Sequence, residues 1–97
     1  MIQEANKKIK ELHLEMVSLC FELTAKGCDS FYGYNGHVDW AEIRVCDGKW
    51  EIDKEYKYQK IMLFTKCDDD YDEDSIQIIL DNLNKVISTL KAFLNGE

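Results

Sequence analysis

The sequence predicts a two-layer α+β domain: an N-terminal helix, a three- to four-stranded antiparallel meander and a C-terminal helix, with both helices on one face of the sheet. Three observations carry that prediction. Apolar residues recur at spacings of 3 and 4 through both ends of the chain, two Asx-Gly dipeptides punctuate an aromatic-rich middle, and no apolar run approaches membrane-spanning length. With no linker or internal repeat, residues 1–97 read as a single α+β domain.

Ile2, Ala5, Ile9, Leu12, Met16, Leu19 and Leu23 form an unbroken heptad seam, which predicts a helix over about residues 2–26. Lys26-Gly27 is a fitting end, a cation followed by a glycine. Two hairpins are expected next, at Tyr34-Asn35-Gly36-His37 and Cys46-Asp47-Gly48-Lys49, because type I′ turns demand positive φ at both central residues. The first would pair Phe31 with Trp40 and Tyr32 with Asp39. The second would set Val45 opposite Trp50, Arg44 opposite Glu51 and Ile43 opposite Ile52, matching apolar to apolar and charge to counter-charge. Its inner face would be Ala41, Ile43, Val45, Trp50 and Ile52. A further strand is expected from about Gln59 to Cys67, where Ile61 to Thr65 is apolar on both faces. Ile76, Leu80, Leu83, Ile87, Leu90 and Leu94 then predict a second long helix, stopped by Asn95-Gly96.

Charge is distributed unevenly. The formal net charge is −7, and between Lys66 and Lys85 stand seven carboxylates and no base: Asp68, Asp69, Asp70, Asp72, Glu73, Asp74 and Asp81. The remainder of the chain is neutral. Such an acidic balance opposes direct nucleic-acid binding, which depends on clustered Lys and Arg. Met1-Ile2-Gln3-Glu4 is not the start of a secretory signal, and a cytoplasmic location is expected. The four cysteines stand 8, 18 and 21 positions apart, outside zinc-knuckle spacing, so reduced thiols packed as small hydrophobes are expected, with a mixed site from Cys28, His37, Cys46 and Cys67 as the metal alternative. No cofactor is anticipated.

The run Asp68-Asp69-Asp70-Tyr71-Asp72-Glu73-Asp74 opens like an EF-hand loop. Glu73 stands where that loop needs glycine, and Ile79 where it needs glutamate, so the pattern fails. Helix capping accounts for Asp72 or Asp74, the latter with Gln77 as a capping box. Asp68, Asp69 and Asp70 are left over, either as a solvated loop or as a surface that docks a Lys/Arg-rich groove. Trp40, on the face opposite Ile43 and Val45, and Tyr56 and Tyr58 are the aromatics expected to stay exposed, either as cross-strand packing or as interface anchors. Asp39 with Glu55-Tyr56-Lys57 offers the carboxylate and E-x-K of a metal-dependent nuclease, with Asp39 expected beside Tyr56. Neither His13 nor His37 has a nucleophile placed near it, and no catalytic residues are assigned. Leu14, Val17 and Phe21 lie outside the main seam and either complete the core or join two copies as a homodimer.

In size, acidity, lysine-biased composition (11 Lys, one Arg) and helix–meander–helix order, the chain resembles the small phage-encoded inhibitors of bacterial defence, including anti-CRISPR proteins. The resemblance implies a non-enzymatic, nucleic-acid-mimicking inhibitor in the host bacterial cell. Its partner would be a basic target such as a CRISPR effector or another defence nuclease. The resemblance assigns no residues; on the charge and strand pattern of the chain itself, Asp68, Asp69, Asp70, Asp72, Glu73 and Asp74 would make the contact, with Trp40, Tyr56 and Tyr58 as anchors. An immunity protein or antitoxin against a toxin nuclease is the alternative with the same electrostatics.

Overall fold

The computed structural model describes residues 2–62 and 65–96. The elements run α1 (Ile2–Ala25), β1 (Ser30–Asn35), β2 (Trp40–Val45), β3 (Tyr58–Met62) and α2 (Glu73–Leu94). The strands form one antiparallel sheet in the order β1-β2-β3. The α+β prediction therefore holds with three strands. No helix of the described residues is long and apolar enough to cross a membrane.

The core lies between the helices and one sheet face. Ile9, Met16 and Leu23 of α1 meet Ile79, Leu83, Val86 and Leu90 of α2 over Ala41, Ile43 and Val45, all essentially inaccessible to solvent. β2 alternates strictly between buried and half-buried residues, so its odd-numbered side chains face the helices and Trp40, Glu42 and Arg44 face away. The thinnest extent of the molecule is 17 Å, which accommodates two layers, and among the described residues no helix lies on the second sheet face, where Trp40, Glu42 and Arg44 are half-buried.

Both helices run in the same direction. Asn6 near the start of α1 holds Cys67 just ahead of α2, while Lys26 Nζ donates to the Leu94 carbonyl at the far end, 3.1 Å away. A Lys91–Glu15 ion pair of 3.1 Å adds a surface tie between them. α1 ends as Lys26-Gly27 predicts. Gly27 has φ +100, its N–H bonds to the Thr24 carbonyl, and the Cys28 N–H reaches the Leu23 carbonyl at 2.9 Å, a Schellman closure.

Three local expectations are corrected. The first hairpin closes through residues 36–39 and pairs Asn35 with Trp40, Tyr32 with Ile43 and Phe31 with Arg44. Asn35 is not a central turn residue; its Oδ1 accepts the His37 N–H at 3.1 Å, and Asp39 takes the left-handed conformation at φ 53. The partners shift by an even number of positions, so every side chain keeps its expected face.

The second correction is larger. β2 does not turn back at Asp47-Gly48, and Val45, Arg44 and Ile43 pair with Tyr58, Gln59 and Lys60 instead of Trp50, Glu51 and Ile52. Asp29 is the physical reason. Its carbonyl accepts from Cys46 N, its N–H donates to the Gly48 carbonyl, and its carboxylate accepts from Trp50 N at 2.8 Å. These bonds hold the Asp47-Gly48 bend against the start of β1. Reversal waits until residues 52–53, where Asp53 has φ 65. Trp50 and Ile52, expected in the inner face, are 51% and 78% exposed.

Third, the strand expected over Gln59 to Cys67 is described from Tyr58 to Met62; Leu63 and Phe64 lie outside the described residues, and Thr65 and Lys66 form a bend. α2 ends with Asn95 as its C-cap and Gly96 at φ +84, in line with the sequence reading.

Candidate protein-interaction surface

The acidic run sits at the end of the molecule where both helices begin. Its position is set by two clamps on the segment that follows β3. Asn6 brackets Cys67, accepting the Cys67 N–H at 2.6 Å through Oδ1 and donating to its carbonyl at 3.2 Å through Nδ2. Asp39, from the turn between β1 and β2, accepts the Thr65 N–H at 3.1 Å and also the Thr65 hydroxyl. Between Cys67 and α2 the chain makes one turn, closed by Tyr71 N–H to the Asp68 carbonyl, with Tyr71 packed against the core.

Asp72 is the helix cap. Its extended backbone (φ −84, ψ 176) lets the carboxylate accept the Ser75 N–H at 2.8 Å. That bond holds its pKa below the ordinary 3.8. The expected Asp74–Gln77 box is not made, because Asp72 takes the cap two residues earlier and Gln77 donates to Asp81 at 2.8 Å. Asp68, Asp69, Asp70, Asp72, Glu73 and Asp74 are all exposed. Among the described residues no hydrogen bond or ion pair engages the carboxylates of Asp68, Asp69, Asp70, Glu73 or Asp74. Their field is felt nearby. Burial first, then the charges of Asp68 and Asp39, push the ionisation of Tyr71 and of the Cys67 thiol upward.

The aromatics divide between the two faces. Tyr58 pairs with Val45 and therefore points to the helices, meeting Phe93 edge-on with centroids 5.7 Å apart. It is part of the packing, in contrast to the exposure expected for it. Trp40 and Tyr56 lie half-buried on the uncovered side. There the Arg44 guanidinium sits between Phe31 and Tyr56, 5.0 and 5.3 Å from their ring centres, and donates to the Tyr56 hydroxyl at 2.9 Å. Glu42 accepts from Gln59 at 2.8 Å and lies 3.5 Å from Arg44. This network orders the middle of the face, with Trp40 beside Asp39 and hence next to the acidic end.

The proposed Asp39, Glu55 and Lys57 grouping is not assembled. Asp39 precedes β2 and binds Thr65, whereas Glu55 and Lys57 precede β3 at the other end of β2, and Tyr56 is held by Arg44. Six residues of strand separate the two, on the order of 15–20 Å. Among the described residues no three His, Cys, Asp or Glu side chains are placed to hold a metal ion. All four cysteines are free thiols. Burial raises the Cys20 thiol to about 11 and pushes Cys46 and Cys67 up as well.

Three features escape sequence reading. His13 Nδ1 is hydrogen-bonded to the Tyr32 hydroxyl at 2.7 Å, a contact across 19 positions that no helical spacing announces. Beside it, between α1 and β1, runs an apolar groove of about 490 Å³. The Asn6–Cys67 clamp, 61 positions apart, is likewise invisible in one sequence. Comparison with known proteins found no protein-family model, no curated protein and no solved structure that matches the chain.

Proposed function

We propose that this chain is a non-enzymatic binding protein that inhibits a nucleic-acid-handling target, such as a nuclease of bacterial defence, by placing its acidic end in the groove that normally takes the phosphate backbone. The observation that carries this reading is the set of exposed carboxylates at Asp68, Asp69, Asp70, Glu73 and Asp74 that no side chain of the described residues neutralises. Six acids within residues 68–74 span at most about 23 Å of chain, and the turn at Asp68 to Tyr71 and the start of α2 at Glu73 draw them closer, so there is at least one charge per roughly 4 Å. A single DNA strand carries one per about 3.4 Å. The charge density therefore suits a phosphate-binding groove. Trp40, next to the acidic end, and Tyr56 are the aromatic anchors on the adjoining sheet face.

The test uses a variant carrying Asp68→Asn, Asp69→Asn, Asp70→Asn and Asp74→Asn, with the Asp72 cap left intact. Wild-type protein is expected to compete with nucleic acid for a basic nuclease and to lose affinity steeply between about 50 and 200 mM salt. The variant is expected to bind at least tenfold more weakly with a flatter salt dependence. Unchanged affinity and unchanged salt dependence would overturn the proposal.

A further inference from the structure

The sheet has two edges, and they are treated differently. β3 carries Lys60 at its centre and is preceded by Lys57, the kind of charge that discourages pairing with another chain. β1, Ser-Phe-Tyr-Gly-Tyr-Asn, has no charge and no proline. Its main chain alternates in direction. The Asp29 carbonyl turns inward to Cys46, and the Ser30 N–H turns outward to Thr24 Oγ1 at 3.0 Å. Continuing that alternation aims the N–H and C=O groups of Tyr32 and Tyr34 away from β2, along the open edge.

The surface of α1 and β1 beside this edge carries large exposed apolar side chains among polar ones. Leu14 is 58% exposed, Phe21 75% and Tyr34 62%. Two grooves of about 490 and 320 Å³ adjoin here and share Val17 and Tyr32 as common walls. We propose that this surface joins two copies of the chain into a homodimer, with β1 meeting β1 of the second copy antiparallel through the outward main-chain groups of Tyr32 and the Tyr34 N–H, about a two-fold axis at Tyr32 and Val17, while the Ser30 N–H stays with Thr24 Oγ1.

Self-complementarity selects a second copy as the occupant. β1 runs against α1, so its Ser30 end lies by Thr24 and its Tyr34 end borders the groove containing Lys10. A two-fold through Val17 and Tyr32 turns one half of the stripe onto the other. Leu14 stands three positions before Val17 and Phe21 four after, so each Leu14 meets the other copy's Phe21, as an isologous interface requires. Lys10 and Lys66, which line the groove towards Asn6, face the Thr24 end of the other copy and not each other. The acidic ends point apart. Asn6, which anchors that end, is 11 residues from Val17, so about 16 Å of helix on each side places the two runs roughly 33 Å from each other. That is about three Debye lengths at 0.1 M salt, so the charge of −7 on each chain does not oppose association. The exposed parts of Phe21, Tyr34 and Leu14 alone supply on the order of 400 Å², half of the ~800 Å² per partner that specific interfaces bury. The strand edge and Val17 add to this.

The test needs no target protein and so stands apart from the function proposed above. Sedimentation equilibrium of the full chain from about 1 µM to 1 mM is expected to show a species of twice 11.4 kDa. Leu14→Glu and Phe21→Lys, both at exposed positions, are each expected to weaken the dimer at least a hundredfold while retaining the wild-type circular dichroism spectrum. An equimolar mixture of the two variants is expected to dimerise again, because the new carboxylate at position 14 meets the new ammonium at position 21. Amide exchange at Tyr32 and Tyr34 should slow with concentration in the wild type only. A wild type that stays monomeric at 1 mM overturns the proposal. So does a dimer indifferent to both variants, a mixture that stays monomeric, or edge amides whose exchange ignores concentration, as when the groove serves an extended peptide of another protein.

Discussion

Asp72 shows how one residue of the acidic run converts charge into structure. The Ser75 N–H bonds to its carboxylate and lowers its pKa below 3.8, while the unfolded chain keeps the ordinary value. The folded state thus binds this proton less readily than the unfolded one. The resulting stabilisation is fully present above about pH 4 and is lost as pH falls through the lowered pKa. Asp72→Ala is accordingly expected to melt below the wild type at pH 7, and the gap between the two should close as pH drops from about 4 towards 2. Thermal melts followed by circular dichroism measure this, and a gap constant with pH would contradict it. The capping chemistry was legible in the sequence because Ser, Asp and Asn before an apolar period are a local signal. Which aspartate caps was not, since Asp72 and Asp74 both stand where the pattern allows. The Asn6 clamp on Cys67 was illegible for a different reason: it depends on how two distant segments meet.

At the level of elements, the helices and β2 followed from periodicity, and the path between β2 and β3 did not. Apolar stripes at spacings of 3 and 4 leave few alternatives to a helix lying on a core, and Ala41, Ile43 and Val45 fell on the buried face as alternation requires. Asp47-Gly48 is a strong turn signal, and Gly48 does adopt φ +92. A turn signal states where the chain bends and not which strand it returns to. Asp29, 18 positions away from Asp47, decides that by holding Cys46, Gly48 and Trp50. The two registers make opposite forecasts for Ile52. In the observed one it is exposed, so Ile52→Ser should change the stability by less than about 0.5 kcal/mol. Ile43→Ala, in the core, should cost about 2–5 kcal/mol. Urea denaturation of both variants checks this, and a loss of several kcal/mol at Ile52 would restore the tight hairpin.

For the whole molecule, the parallel course of α1 and α2 brings two positive helix ends to the side that carries the acids. Two layers were legible from the stripes, but this shared polarity emerges only once the strand count is known. Helix-end attraction fades beyond the first turn, so it serves Glu73 and Asp74 more than Asp68, Asp69 and Asp70. Asp68, Asp69 and Asp70 stand consecutively before that turn, where like charges repel one another. Raising ionic strength from about 10 mM to 0.5 M should therefore raise the melting temperature. Asp68→Asn, Asp69→Asn and Asp70→Asn together should raise it at low salt and flatten its salt response; calorimetry at both salt concentrations decides. The buried thiols have a separate consequence. Only thiolates attack alkylating reagents, and burial keeps Cys20, Cys46 and Cys67 protonated in the folded chain. Each sits on a different part of the fold: Cys20 in α1, Cys46 where Asp29 catches the end of β2, and Cys67 under the acidic end. Their rates of chemical labelling are three independent timers, built into the native chain, of how often each region opens.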